Sequence, residues 1–140
     1  MYTEDDIKAF LVSKIGVEEK DVLFNTDIEC DLGCCDDDFH ELIEDYSQTF
    51  SVDMKKYKWY FHTGEEGNNI GGIFFKAPYK RVERIPVTPE MLLQFANTGE
   101  WDLQYPDHKL PGYRFDILIN IILFIIVISF IIKACIENFL

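Results

Sequence analysis

From Ile117 to Ile132 the chain reads ILINIILFIIVISFII, sixteen residues without a charge, a proline or a glycine, interrupted only by Asn120 and Ser129. A helix of that length covers roughly 24 Å at about 1.5 Å per residue, somewhat short of a hydrocarbon core of about 30 Å. Phe115 and the stretch 134–136 extend it. Lys133 is placed to snorkel at one end, and Tyr113 with Arg114 supplies aromatic and basic anchors at the other. The competing assignment is a buried core helix. A partner domain of about 110 residues is too small to surround a helix that is apolar on every side, so a transmembrane helix over 115–134 is expected.

Two further features set topology. The N-terminus MYTEDDIKAF is acidic and lacks the apolar core of a signal peptide. Eight residues follow Ile132, and Lys109 with Arg114 outweighs Lys133. The expectation is a single-pass tail anchor with the N-terminal domain in the cytosol and a short tail over 135–140.

The remainder is acidic. The 140 residues carry 13 Lys plus Arg against 25 Asp plus Glu, a formal charge of -12. That balance repels phosphate backbones and anionic lipid headgroups, which excludes a nucleic-acid-binding role. One domain is all this length accommodates, so an enzyme with separate cofactor and substrate lobes is excluded too. Four cysteines, with Cys30, Cys34 and Cys35 crowded and Cys135 at the end of the span, do not make a disulfide framework, and free thiols are expected. Cys135 reads as apolar filler, with palmitoylation as the alternative.

The periodicity of residues 1–105 is mainly helical. Thr3 before Glu4, Asp5 and Asp6 is an N-cap with an acidic first turn, and Ile7, Phe10, Leu11 and Ile15 follow at helical spacing up to Gly16. Residues 17–35 form a long loop anchored by Val17, Val22, Leu23, Phe24, Ile28 and Leu32. A second helix opens at Asp36, with Phe39, Leu42, Ile43, Tyr46 and Phe50 on one face and carboxylates on the other. Two β-prone runs, 71–75 and 81–87, fit a small hairpin. Thr88, Pro89 and Glu90 start a further helix that closes near Gly99. Residues 106–114, with two prolines and a glycine, read as the linker to the membrane.

Asp31-Leu32-Gly33 leading into the acidic second helix resembles an acyl carrier protein over residues 3–62. In carriers that motif precedes, after two residues, a serine that receives 4′-phosphopantetheine. Cys34 and Cys35 fill the two intervening positions here, and Asp36 stands where the serine would be. A carboxylate cannot act as the hydroxyl nucleophile, and the nearest hydroxyls, Thr26 and Ser47, are off the motif. The combination with FSVDM and VTPEMLLQFANTGEW is similar, over residues 3–103, to a bacterial acyl-carrier-like family of unknown function in which an Asp also replaces the serine. The resemblance implies an acyl-carrier-like helical bundle with no phosphopantetheine and no other cofactor.

Between Glu29 and Asp45 lie eight carboxylates and no basic residue. Of these Asp36, Asp37, Asp38, Glu41, Glu44 and Asp45, on the second helix, are the expected contact residues for a basic protein partner. In carriers the corresponding helix docks on basic patches. The blander role of Asp36, Asp37 and Asp38 is to complement the helix dipole.

Other chemistries fit less well. Asp27, Glu29, Asp31 and Asp38 occupy positions 1, 3, 5 and 12 of an EF-hand count, but Gly33 falls at position 7 instead of 6 and Asp38 is too short for the bidentate position. Cys30, Cys34, Cys35 and His40 lack the spaced pairs of a zinc site, so no metal is expected. No nucleophile elbow or phosphate loop is present, and an acidic neighbourhood disfavours a thiolate, so no catalytic residue and no enzyme is expected. An apolar pocket for a non-covalent acyl chain competes with Phe39, Tyr46 and Phe50 for the same space. The sequence thus favours a non-enzymatic membrane-anchored adaptor. The alternatives are an immunity protein that neutralises a cognate toxin, and a carrier modified at a residue outside the motif.

Overall fold

The computed structural model describes residues 1–139. The protein is mainly helical, with α1 at Glu4–Ile15, α2 at Asp36–Phe50, α3 at Pro89–Thr98 and the long α4 at Phe115–Phe139, joined by loops with short 3₁₀ turns. The chain forms two compact units. The first comprises Met1–Glu66 and Val82–Asp107, and the second joins Gly67–Arg81 to the described chain from His108 onward.

In the first unit the helix ends lie where the sequence punctuates them. Thr3 and Asp6 make a reciprocal capping box on α1, and Gly16 ends it in the left-handed region at φ 78°. Thr88 caps α3 through the Met91 amide, Pro89 occupies its first turn, and Gly99 ends it at φ 78°. The apolar ladder of α2 is wholly internal: Phe39, Leu42, Ile43, Tyr46 and Phe50 are all buried. They pack with Ile7, Phe10 and Leu11 of α1 and with Leu92, Phe95 and Trp101 in and after α3. Tyr46 donates its hydroxyl to the Leu92 carbonyl at 2.6 Å, so the one polar atom on that face is satisfied inside the core.

The hairpin is not formed; among the described residues the only β pairing is an isolated parallel bridge between Asp53 and Glu100. Its two halves bond elsewhere. Gly71–Ile73 closes as a 3₁₀ turn, with the Phe74 and Phe75 amides both donating to the Gly71 carbonyl. The 82–87 segment instead serves the loops of the first unit: the Ile85 amide donates to the Phe61 carbonyl and the Ile28 amide donates to the Val87 carbonyl. Two glycines and a capping Asn69 favour the tight turn over an extended strand, and the buried core rewards Val87 for lying inside it.

In the second unit α4 is longer than expected. Its 25 residues correspond to about 37 Å, and the stretch Phe115–Glu137 is long and apolar enough to cross a membrane, with a mean hydropathy of 2.9 and almost none of it buried. Residues 135–139 of the expected tail continue the helix, and residue 140 lies outside the described residues. The other part of this unit is the 67–81 loop, bound to the first turns of α4. Asn69 Nδ2 donates to Asp116 Oδ2 at 2.8 Å, and the Gly71 amide donates to Asn120 Oδ1 at 2.7 Å. Asn120 Nδ2 donates back to Asn69 Oδ1 at 2.9 Å, and Arg114 donates to both Asp116 oxygens. Asp116 is 2% exposed.

Candidate functional site

The six expected contact residues all lie on α2, in its first three turns, opposite the apolar ladder. Asp37, Asp38, Glu41 and Glu44 are exposed, and Asp36 and Asp45 are half-buried. The eight carboxylates of 29–45 are not equally available. The fold brings Lys14 from the last turn of α1 into an ion pair with Asp45, and Arg84 into one with Glu29 at 3.1 Å. Asp31 accepts the Asp27 amide at 2.8 Å. Among the described residues no cation is paired with Asp36, Asp37, Asp38, Glu41 or Glu44, which leaves a contiguous anionic stripe from the start of α2 through its third turn. The N-cap residue Cys35 makes no side-chain cap, so the α2 N-terminus relies on these carboxylates to complement its dipole.

Beside the stripe runs an open cleft of about 360 Å³ between the end of α1, the Leu32 loop and α2. Apolar Ile15, Val17, Leu32 and Leu42 line it together with Asp38, Glu41 and the Lys14–Asp45 pair. Phe39, Tyr46 and Phe50 fill the core and not this cleft.

Asp36 adopts φ 51°, in the left-handed region that favours glycine. Its amide donates to the Thr63 hydroxyl at 3.0 Å, which donates to Glu29 Oε1 at 2.8 Å, while Arg84 holds the other Glu29 oxygen. Thr63 is 3% exposed. The same Arg84 forms a two-nitrogen contact with Asp27, and the Glu29 and Cys30 amides donate to Asp27 as well. Burial opposes ionisation of Asp27, but the guanidinium and these amides outweigh it and hold its carboxyl below the usual range. The carboxylates at positions 1 and 3 of the calcium count therefore already have a cation, and it is Arg84.

The thiols of Cys30, Cys34 and Cys35 lie in surroundings that suppress ionisation. Burial pushes Cys34 up to about 11, with the Asp38 charge adding to it. Cys30 and Cys35 are raised as well, chiefly by desolvation, and Arg84 Nη2 lies 3.1 Å from the Cys30 sulfur. The off-motif hydroxyls are engaged: Thr26 is buried and accepts the Leu23 amide at 2.8 Å, and Ser47 donates to the Glu44 carbonyl at 2.8 Å. His40 lies edge-on to Trp59. Among the described residues no three His, Cys, Asp or Glu side chains are grouped as metal ligands.

His62 is fully buried, which its exposed-looking sequence context does not suggest. Its Nδ1 lies 2.9 Å from the Ile85 carbonyl, which can only accept, so Nδ1 carries the proton and Nε2 accepts from the Tyr105 hydroxyl at 2.8 Å. That hydroxyl accepts from Trp101 Nε1 at 2.9 Å and from the Lys58 amide at 3.2 Å. Burial lowers His62 to about 4. The Tyr57 ring stacks on the imidazole at 5.3 Å, and the Tyr57 hydroxyl is buried with no hydrogen-bond partner among the described residues. This aromatic cluster is structural: it fixes the 57–63 loop that delivers Thr63 to Asp36. The sequence shows it only as a run of aromatic residues.

No curated protein and no solved structure matches the chain. The family described as "Protein of unknown function (DUF1493)" matches residues 3–104, from the capping threonine of α1 to the chain just beyond Trp101. The match takes in the α2 stripe, the Asp36–Thr63–Glu29 chain and the aromatic cluster up to Trp101, stopping one residue short of Tyr105, and the protein belongs to that family.

Proposed function

We propose that this protein is a non-enzymatic, membrane-anchored adaptor of acyl-carrier-like build that binds a basic protein partner through α2, without phosphopantetheine. The observation that carries the reading is the segregation of charge on α2. The fold neutralises Glu29 and Asp45 with Arg84 and Lys14, yet leaves Asp36, Asp37, Asp38, Glu41 and Glu44 as an unbroken anionic stripe. Exposed carboxylates of one sign repel each other, and that cost is offset when a basic surface docks. The cleft alongside suits the aliphatic stem of a partner lysine or arginine, whose charged head then meets Asp38 and Glu41.

The carrier-like build rests on the Asp-Leu-Gly motif entering α2 and on a helical core around the α2 ladder. The serine position, held by an Asp at positive φ, offers no hydroxyl. The anchor is α4, with the N-terminal unit on the cytosolic side of a bacterial inner membrane, in keeping with Lys109 and Arg114 before the span.

The test is capture of the full-length, detergent-solubilised protein from its native cells beside the D37K/E41K/E44K variant. The expected result is a basic protein recovered with the native chain and lost from the variant, at equal helix content and melting temperature. An identical set of captured proteins from both would overturn the adaptor reading. A stable partner that appears only when a toxin is expressed would transfer the stripe to an immunity role.

A further inference from the structure

The 67–81 loop carries one of the most apolar exposed surfaces outside α4. Ile70 is 53% exposed, Ile73 79%, Phe74 69% and Phe75 43%. In water such a cluster is unfavourable, at about 25 cal/mol for each Å² of apolar surface, and a contiguous patch of this kind marks a binding site. The same loop carries Lys76, Lys80 and Arg81 and no acidic residue, although the whole chain has a charge of -12. The overall balance, which repels anionic headgroups, is therefore reversed locally.

The loop's attachment identifies its occupant. It is bound to the first turns of α4 through Asn69–Asp116, Gly71–Asn120 and the Phe75–Phe115 ring contact at 5.4 Å. The fit has no slack, since a Cβ on Gly71 would run into the Asp116 carbonyl. A hydrocarbon core of about 30 Å takes roughly 20 of the 25 residues of α4, so the turns that hold the loop lie at the membrane boundary. At that depth Asp116 and Asn120 would be costly if bare to lipid. The loop supplies them with Asn69 and the Gly71 amide, and Arg114 pairs with Asp116.

We infer that residues 70–75 are a second membrane contact: a wedge in which Ile70, Ile73, Phe74 and Phe75 insert into the interfacial zone of the leaflet where α4 enters. Lys76, Lys80 and Arg81 lie beside the headgroups. The wedge fixes the depth and rotation of α4 and shields the polar residues of its first turns. The inference rests on α4 spanning the membrane and is independent of the adaptor role of α2.

The test places a tryptophan at Phe74 and, separately, at Ile126 in the middle of α4, in full-length protein reconstituted into phosphatidylethanolamine–phosphatidylglycerol vesicles with brominated acyl chains. Emission is compared with the native chain, whose Trp59 and Trp101 give the baseline. The wedge predicts a blue-shifted F74W component, quenched severalfold by bromines near the headgroup end of the chain and less by bromines near its methyl end. I126W shows the opposite order. Adding G71V to F74W should abolish the lipid quenching while I126W and the helical circular dichroism stay unchanged. Red-shifted F74W emission quenched by acrylamide, with I126W quenched by lipid, would overturn the wedge and leave the span intact. Blue-shifted F74W emission without lipid quenching would also overturn it, since the residue would then be covered by protein. Failure of I126W to quench would remove the span and the wedge together.

Discussion

The Asp36 amide donates to the Thr63 hydroxyl at 3.0 Å, across 27 residues of sequence. This bond ties the start of α2 to the aromatic loop, and through Glu29 it extends to Arg84. Thr63→Val removes the acceptor for the Asp36 amide and the donor to Glu29 while keeping the shape of the side chain. The expected cost is about 1–3 kcal/mol, read as a lower melting temperature of the full-length protein in detergent, with Thr63→Ser restoring most of it. Equal melting of the Val variant and the native chain would show the chain of bonds to be energetically idle.

The positive φ of Asp36 gives a second prediction. Glycine adopts φ 51° without the Cβ penalty, so Asp36→Gly should be neutral or stabilising by up to about 1 kcal/mol. Glu41→Gly, in the regular interior of the same helix, should cost about 1 kcal/mol. Comparable losses at both sites in thermal unfolding would contradict the left-handed conformation at Asp36.

His62 makes stability depend on pH in a defined direction. Its folded value is lowered to about 4, against an unfolded value near 6.5, so between these limits the unfolded chain binds the extra proton. The stability tied to neutral His62 is complete above about pH 6.5 and is lost as pH falls toward 4, by about 3 kcal/mol in total. Denaturant unfolding at a series of pH values should show this slope in the native chain and a shallower one in His62→Gln. An NMR titration of the imidazole that finds a midpoint near 6.5 would reject the buried neutral state.

The Tyr57 hydroxyl is buried with no hydrogen-bond partner among the described residues. Its ring is well used, stacked on His62 and edge-on to Trp101 at 4.9 Å. Tyr57→Phe keeps the ring and removes the orphaned hydroxyl, so it should raise stability by about 1 kcal/mol. Tyr57→Ala should lower it by about 3 kcal/mol through the lost packing. A destabilised Phe variant in the same melting assay would mean the hydroxyl has a partner in solution.

Much of this protein is determined locally and is therefore legible in its sequence. Thr3, Gly16, Thr88, Pro89 and Gly99 act on their own backbone, so α1 and α3 begin and end where those residues stand. The i, i+3, i+4 ladder from Phe39 to Phe50 needs only helical geometry to make one buried face and one acidic face. The apolar run from Ile117 makes a long helix in any setting without competing partners. Three things depended on contacts between residues far apart in sequence, which no local pattern encodes. Which carboxylates of 29–45 stay free was decided by Lys14 and Arg84 arriving from other segments. The expected hairpin gave way because Asn69 and two glycines closed a turn that Asp116 and Asn120 could hold, while Val87 was drawn into the core. And His62 became a neutral core residue because the fold surrounded it with Tyr57, Trp101 and Tyr105, so that a proton on it had no water to meet.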